Sequence, residues 1–283
     1  MLDIKNYKLN TNYKKKIALI SDIHFSSNYK KLILDKIIKN LIQNNPDYIC
    51  IPGDIIDQTL ELNDINKKYL LEFFKTLGQI GIVIISLGNH DVSNYQKGNY
   101  QNKYDKEWFM KLNTIENVHF LDNNSFISEE FCFLGLTLSF DYYYKSPHED
   151  INSFINSIND DIYPNLRTNK FNIMLCHSPY VVLEDIVLEK VKIISKMDLI
   201  LSGHMHNGVM LPLMNRLKGS RGLVGPFMKL LPKNARGMVI KKLNDKEIKL
   251  IISGGIITFS NIAPSFYKLF NGLFLSSIEY IDL

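Results

Sequence analysis

The sequence predicts an α/β protein, on three observations. Short runs rich in Ile, Leu and Val alternate with longer segments of helical period, as expected where buried strands are joined by helices. Hydrophobic residues make up 46% of the 283 positions and charged residues 22%, which suits a folded chain with a sizeable core and excludes disordered, collagen-like and fibrous classes. Turn-forming residues such as Asn44, Asn45 and Pro46 punctuate the change from helical to extended pattern.

Ile17 to Ser21 reads as the first strand. Asn28 to Asn45 follows as an amphipathic helix, with Leu32, Ile33, Ile37, Ile38, Leu41 and Ile42 on one face and lysines opposite. Tyr48 to Pro52 is a second strand. A second helix spans Asn63 to Gly78, with Leu70, Leu71, Phe74 and Leu77 inward and Gly78 as its C-cap, and leads into the strand Ile82 to Ser86. Lys103 to Asn113 and Glu149 to Asp160 read as helices. Val118 to Leu121, Phe131 to Leu138, Asn172 to Cys176 and Asp198 to Ser202 read as strands. Met238 to Leu243 and Glu247 to Ser253 form a hairpin around Asn244 and Asp245. With no repeat, low-complexity tract or linker, residues 1–283 are expected to form a single domain, carrying a basic, apolar loop segment at 208–236.

Cys50, Cys132 and Cys176 sit singly in apolar runs, an odd count without paired spacing, so they are expected to be buried thiols in a reducing compartment. The polar start, Met1 to Lys16, has no signal-peptide core, and the longest apolar run, Leu250 to Phe259, is too short to span a bilayer. The expected location is cytoplasmic.

The net charge of +4 hides an uneven distribution. Asp and Glu are absent from Leu199 to Asn244, and eight basic residues fall between Asn207 and Asn244, leaving −4 for the other 245 residues. Nucleic-acid binding is disfavoured, because overall charge is low and the basic segment is too apolar for phosphate-backbone contact alone.

Five strands end in short clusters of metal-ligand residues: Asp22-Ile23-His24, Gly53-Asp54, Gly88-Asn89-His90-Asp91, His177, and Gly203-His204-Met205-His206. Five of the seven histidines lie in these clusters. In open α/β sheets ligands collect beyond the carboxyl ends of the strands, so the five clusters are expected to converge on one rim. Asp22 with His24, and His204 with His206, are two residues apart, a spacing that aims both side chains the same way in extended chain. Mixed Asp, Asn and His donors suit Mn, Fe, Zn, Co or Ni, with manganese favoured. With His90 held back, Asp22, His24, Asp54, Asn89, His177, His204 and His206 are too many for one tetrahedral ion and suit two divalent metal ions sharing a carboxylate. Such a pair favours phosphate and can stabilise both attacking and leaving oxygens.

The ordered series D-x-H, G-D, G-N-H-D, H and G-H-x-H, from Asp22 to His206, resembles the calcineurin-like metallophosphoesterases. The resemblance implies a four-layer α/β/β/α sandwich of two mixed sheets, with the metal site at the C-terminal ends of strands. It implies that Asp22, His24, Asp54 and His206 hold one metal, that Asp54, Asn89, His177 and His204 hold the other, and that Asp54 is the bridge. Attack by metal-bound hydroxide follows from it, without a covalent enzyme intermediate and with His90 assisting the leaving group. Asp91 is a shorter variant of the family's frequent Glu. Gln58 stands where an Arg often follows the second Asp of G-D-x-x-D, and that second Asp, Asp57, either orients His90 or caps the following loop.

Within the family the chain resembles the membrane-associated bacterial phosphodiesterases, such as the UDP-diacylglucosamine hydrolases, although Asn207-Gly208-Val209 replaces their usual G-G-Q. The expected reaction is hydrolysis of a phosphodiester or diphosphate on a small-molecule or lipid substrate. Residues 208–236 are either a peripheral contact with the inner face of the membrane or an ordinary loop of solvated lysines. The alternatives are a phosphodiesterase for a soluble nucleotide or nucleic acid, and a non-catalytic scaffold of the same fold. No obligate protein partner is implied. His119 and His148 are expected at the surface and Trp108 and Phe109 in a helix core, while Tyr142, Tyr143 and Tyr144 either line the cleft or pack at a sheet edge.

Overall fold

The computed structural model describes residues 2–25, 30–58, 60, 62–96, 99–144, 169–209, 220–226, 230–243, 245–256 and 276–283. Two six-stranded mixed sheets face each other. The first has the order β1 (Leu2–Lys8), β14 (Ser276–Asp282), β2 (Lys16–Leu19), β3 (Tyr48–Ile51), β4 (Ile82–Ile85), β7 (Val118–Phe120). The second has the order β12 (Gly237–Leu243), β13 (Lys246–Ile252), β11 (Leu199–Ser202), β10 (Phe171–Cys176), β9 (Phe131–Leu136), β8 (Asn124–Ile127). A small hairpin pairs β5 (Ser93–Gln96) with β6 (Asn99–Asn102).

Alternation along each buried strand divides the apolar residues between layers. Ile17 and Leu19 of β2 meet Phe133, Ile173, Leu175 and Leu201 between the sheets. Ala18 and Ile20 face outward, into a core shared with α1 (Lys30–Asn44), α2 (Asp64–Ile80) and α3 (Lys106–Lys111). On the far side, Met174, Cys176 and Ile200 pack against the short helices α4 (Phe140–Tyr144), α5 (Tyr180–Leu183) and α6 (Asp185–Lys190). The result is helix, sheet, sheet, helix, as the family resemblance implies. Because both faces of the central strands are covered, their sequences read as continuous apolar runs. Truncating a side chain as completely enclosed as Phe74 costs about 3–5 kcal/mol.

Several boundaries differ from the sequence reading. Asn63 caps α2 as its position suggests, accepting from Asn66 N, but the helix passes through Gly78 to Ile80 and Gly81 takes the cap. Gly78 lies instead where a Cβ would strike the Glu116 carbonyl at 2.5 Å, so close packing against the turn before β7 explains the residue. The helix expected over Lys103–Asn113 is shortened to α3, whose N-cap Asp105 accepts from Trp108 N, and a 3₁₀ turn over Leu112–Thr114 completes it. Ile42 is 61% exposed, beyond the edge of the apolar face of α1. Strands β1, β14, β5, β6 and β8 add to those expected. The helix expected over 149–160 lies outside the described residues, as do His148 and residues 210–219 and 227–229 of the basic segment.

Candidate metal centre

All five clusters follow the carboxyl ends of their strands. Those after β2, β3 and β4 come from the first sheet and those after β10 and β11 from the second, so the two sheets share one rim. Loop-to-loop hydrogen bonds continue the ladders past the strand ends: Asp22 N donates to Gly53 O, His24 N to Asp54 O, and Gly203 N to His177 O. Gly53 has a φ of +105° and its Cα faces the Gly88 backbone so closely that a Cβ would overlap it. That contact brings the Asp54 and Asn89 loops together.

The ligand atoms of Asp22, His24, Asp54 and His206 all lie within 4.8 Å of one another, and so do those of Asp54, His177 and His204. Asp54 belongs to both groups, as a bridge would. Its Oδ2 lies 3.1 Å from His177 Nε2, 3.7 Å from His24 Nε2 and 3.9 Å from His90 Nε2. Its Oδ1 accepts from His90 N at 2.8 Å, which fixes the carboxylate plane. His206 Nε2 is 3.6 Å from Asp22 Oδ1, and its ring stacks on that of His24. Asn89, 8% exposed, sits in the same rim beside His90. Each residue expected to hold a metal is therefore at the rim, with Asn89 placed by its neighbours rather than by a ligand-atom distance.

The fit to metal ions rests on how these groups are buried. His24 is 1% exposed, and neither of its ring nitrogens has a hydrogen-bond partner, a costly arrangement unless a cation accepts the lone pair. Burial, helped by neighbouring imidazoles, holds His24 and His204 well below the usual histidine range, so both are neutral and ready to ligate. Burial opposes protonation of His177 as well, but the charge of Asp54 prevails and holds it at about 9. Its Nδ1 lies 3.0 Å from Pro52 O, which can only accept, so Nδ1 carries the hydrogen and Nε2 faces the centre. Burial would raise the Asp54 carboxyl, yet His177 and His90 hold it well below the usual range.

His90 receives Gln58 N–H at Nδ1, 3.5 Å away, and its Nε2 points toward Asp54. Asp57, 1% exposed, groups with His24 and His90 within 4.8 Å. It also accepts Leu60 N through its carbonyl, so the loop-turn and His90 readings of this residue both have a structural basis.

One contributor escaped the sequence reading, and another was left there between two alternatives. Asp91 is no mere length variant: its Oδ1 accepts Ile55 N and Ile56 N at 3.0 Å and its Oδ2 accepts Gly88 N at 2.9 Å, clamping the loop after β3 to the loop after β4. Its cost is visible, since burial and the nearby Asp54 charge push it up to about 7. Tyr143 lies on α4 with its ring centroid 5.5 Å from His204, while Tyr142 bonds Ser178 Oγ. Tyr143 therefore borders the centre, the cleft-lining alternative of the sequence reading. His119 is half-buried against Phe126, and Trp108 and Phe109 are core residues as expected.

The three cysteines are free and buried. No helix among the described residues is long and apolar enough to cross a membrane.

The calcineurin-like phosphoesterase family model matches residues 15–208, which contain every clustered ligand. A metallophosphoesterase of Campylobacter jejuni is 31% identical over 218 residues, 75% of this chain and 50% of that protein. One of Caenorhabditis elegans is 28% identical over 199 residues, 69% of this chain and 37% of its own length. The chain thus spans half or less of the length of these relatives. A solved dimetal phosphatase from Danio rerio superposes with a TM-score of 0.43 at 11% identity, covering 85% of this chain and 87% of that one. With two-thirds of its length matched and the ordered ligand series gathered at one rim, the chain belongs to the calcineurin-like phosphoesterase family.

Proposed function

We propose that this chain hydrolyses a phosphoester with two divalent ions, one held by Asp22, His24, Asp54 and His206 and the other by Asp54, Asn89, His177 and His204. The observation that carries the reading is Asp54 Oδ2, fully buried yet faced by imidazole nitrogens of His177, His24 and His90 at 3.1, 3.7 and 3.9 Å. The ions supply Lewis-acid charge against phosphoryl oxygens and an activated water. The side chains do the rest. Asp54 and Asp22 bring two carboxylates, leaving the loaded site positive and selective for an anion. Gln58 N–H occupies His90 Nδ1, so the proton of the neutral ring sits on Nε2, where it can be offered to a leaving-group oxygen. Burial lowers His90 while the charges of Asp54 and Asp57 oppose that fall; Asp57 thereby helps keep a proton available.

The substrate class we favour is a phosphodiester or diphosphate. Manganese-stimulated hydrolysis of bis(p-nitrophenyl) phosphate, compared with p-nitrophenyl phosphate, tests it. Asp54→Ala is expected to lower the diester rate at least a thousandfold and His90→Ala on the order of a hundredfold. Inactivity with every divalent metal would leave the scaffold reading standing, and a monoester preference would overturn the substrate class.

A second element of the proposal is peripheral contact with an anionic membrane through 208–236, giving access to lipid-linked substrates. Leu230 and Leu231 support it: they are 74% and 61% exposed, with Arg221 and Lys233 exposed nearby. Sedimentation with phosphatidylglycerol vesicles at low salt is expected to carry the protein down, and Leu230→Asp with Leu231→Asp to leave it in solution. Failure of the unmodified protein to sediment would remove this contact without touching the hydrolytic chemistry.

A further inference from the structure

Arg236 lies beyond the family-matched residues 15–208, just before β12, and is 8% exposed. Its Nη1 donates to Asn207 twice, to the side-chain Oδ1 at 2.7 Å and to the backbone carbonyl at 3.2 Å. Asn207 is 4% exposed and directly follows His206. We infer that Arg236 is a positioning residue for the metal held by His206, acting through the backbone of Asn207.

The turn it grips needs such a restraint. His206, Asn207 and Val209 all have left-handed φ values, 45°, 56° and 50°. Asn tolerates that region, but a β-branched Val does not adopt it without being held. The segment 220–224 holds one side of the turn: Leu223 N and Val224 N donate to Gly208 O, and Gly208 packs tightly on Gly222. Arg236 holds the other, at the residue bonded to His206 itself. The planar guanidinium reaches both oxygens of one residue, which fixes the Asn207 peptide and side chain together. Without it, His206 keeps its contacts on only one side of a strained turn. The basic segment is accordingly divided in use, since Nη1 of this cation is spent on the turn beside His206.

The inference rests on the two-metal reading, and metal binding tests both separately. Equilibrium dialysis with Mn²⁺, read by elemental analysis, counts sites and affinities, and electron paramagnetic resonance reports whether two ions are coupled. The unmodified protein is expected to bind two ions. Arg236→Met, which keeps length and loses the donors, should weaken one site at least tenfold and the other by less than twofold, matching the pattern of His206→Ala. Arg236→Lys, with one compact donor, should recover part of the loss. Asn207→Ala keeps the backbone acceptor and should show a smaller defect at the same site; it carries the test if circular dichroism finds Arg236→Met unfolded. Two sites of unchanged affinity in a folded Arg236→Met protein, or equal weakening of both, would overturn the positioning role. Fewer than two ions in the unmodified protein would overturn the two-metal reading and this inference with it.

Discussion

Glu279 offers a test of the electrostatics of this fold at a buried carboxyl outside the ligand series. It lies on β14, 2% exposed, on the face of the strand that borders a cavity of about 240 Å³ shared with Lys5, Tyr7 and Arg236. Its Oε1 accepts Gly254 N at 3.0 Å and the Ser277 hydroxyl. Burial is the largest cause of a carboxyl pushed from 4.5 to about 7. The folded state therefore favours the protonated acid. Its contribution to stability is fully present below pH 4.5 and is lost as pH rises through 7. A shift from 4.5 to about 7, at 1.36 kcal/mol per unit, amounts to about 3 kcal/mol. Glu279→Gln stays neutral throughout and keeps a carbonyl for Gly254 N and Ser277. Urea denaturation of both proteins with chelator, at half-unit steps from pH 4.5 to 8.5, gives the difference in unfolding free energy and cancels other titrating groups. That difference is expected to move by about 3 kcal/mol in favour of Gln between the two ends of the range. Any fixed cost of seating the amide displaces the curve without changing its slope. A flat difference would refute the claim that Glu279 is buried as a carboxylic acid.

Three further outcomes follow from the geometry. Asp91→Ala strands the buried N–H groups of Ile55, Ile56 and Gly88, each worth about 1–3 kcal/mol when unpaired, and is expected to cost about 3 kcal/mol net of the buried charge it removes; an unchanged urea midpoint would contradict the clamp. Gly203→Ala places a Cβ against Ser21 Oγ and 2.6 Å from Asp22 Oδ2, and is expected to weaken Mn²⁺ binding at least tenfold in equilibrium dialysis, with wild-type affinity counting against the close approach. Because Asp54 holds His177 at about 9, loading at pH 7 should release a proton and apparent affinity should rise about tenfold per pH unit toward 9. Calorimetry in buffers of different ionisation enthalpy reads that proton, and identical heats would mean that His177 is already neutral.

What was legible in the sequence, and what was not, follows from the physics of each element. The runs IALIS, YICIP and IVIIS announce themselves because helices and a second sheet cover both faces of β2, β3 and β4, so nothing polar interrupts them. The ligand series is legible for the same reason: a buried strand must end where charged residues begin, and at this rim they are metal-ligand types. Strands β1 and β14 follow another rule. They pair in parallel across the chain's two ends, Leu2 opposite Ser276 through Lys8 opposite Asp282. One face of the pair presents Asp3, Lys5, Ser277 and Glu279 to the polar cavity. The opposite face carries a stripe of only two apolar residues per strand, Leu2 with Ile4 and Ile278 with Tyr280, too short to stand out, and nothing local reveals a partner some 270 residues away.

The site itself is hidden in a subtler way. Sequence spacing suggests that Asp22 and His24, or His204 and His206, share a direction because they lie in extended chain. In fact all four have left-handed backbone, with φ of 54°, 45°, 70° and 45°, and so does Asp54 at 52°. Glycine would adopt these turns without strain, but glycine has no ligand atom. The chain therefore places glycine at the neighbouring positions, Gly53 and Gly88, whose backbones nearly touch, and Gly203, which lies against the Ser21 and Asp22 side chains, and leaves the strain on the ligands. Residues held this way persist only where their surroundings over-determine them. Here the restraint is identifiable: Asp91 ties the second and third loops together, the His204 amide is fixed on both oxygens of Asp22 at 3.2 Å, and Arg236 grips the residue after His206. No short motif could carry that information, because each restraining group lies on a different loop from the residue it steadies.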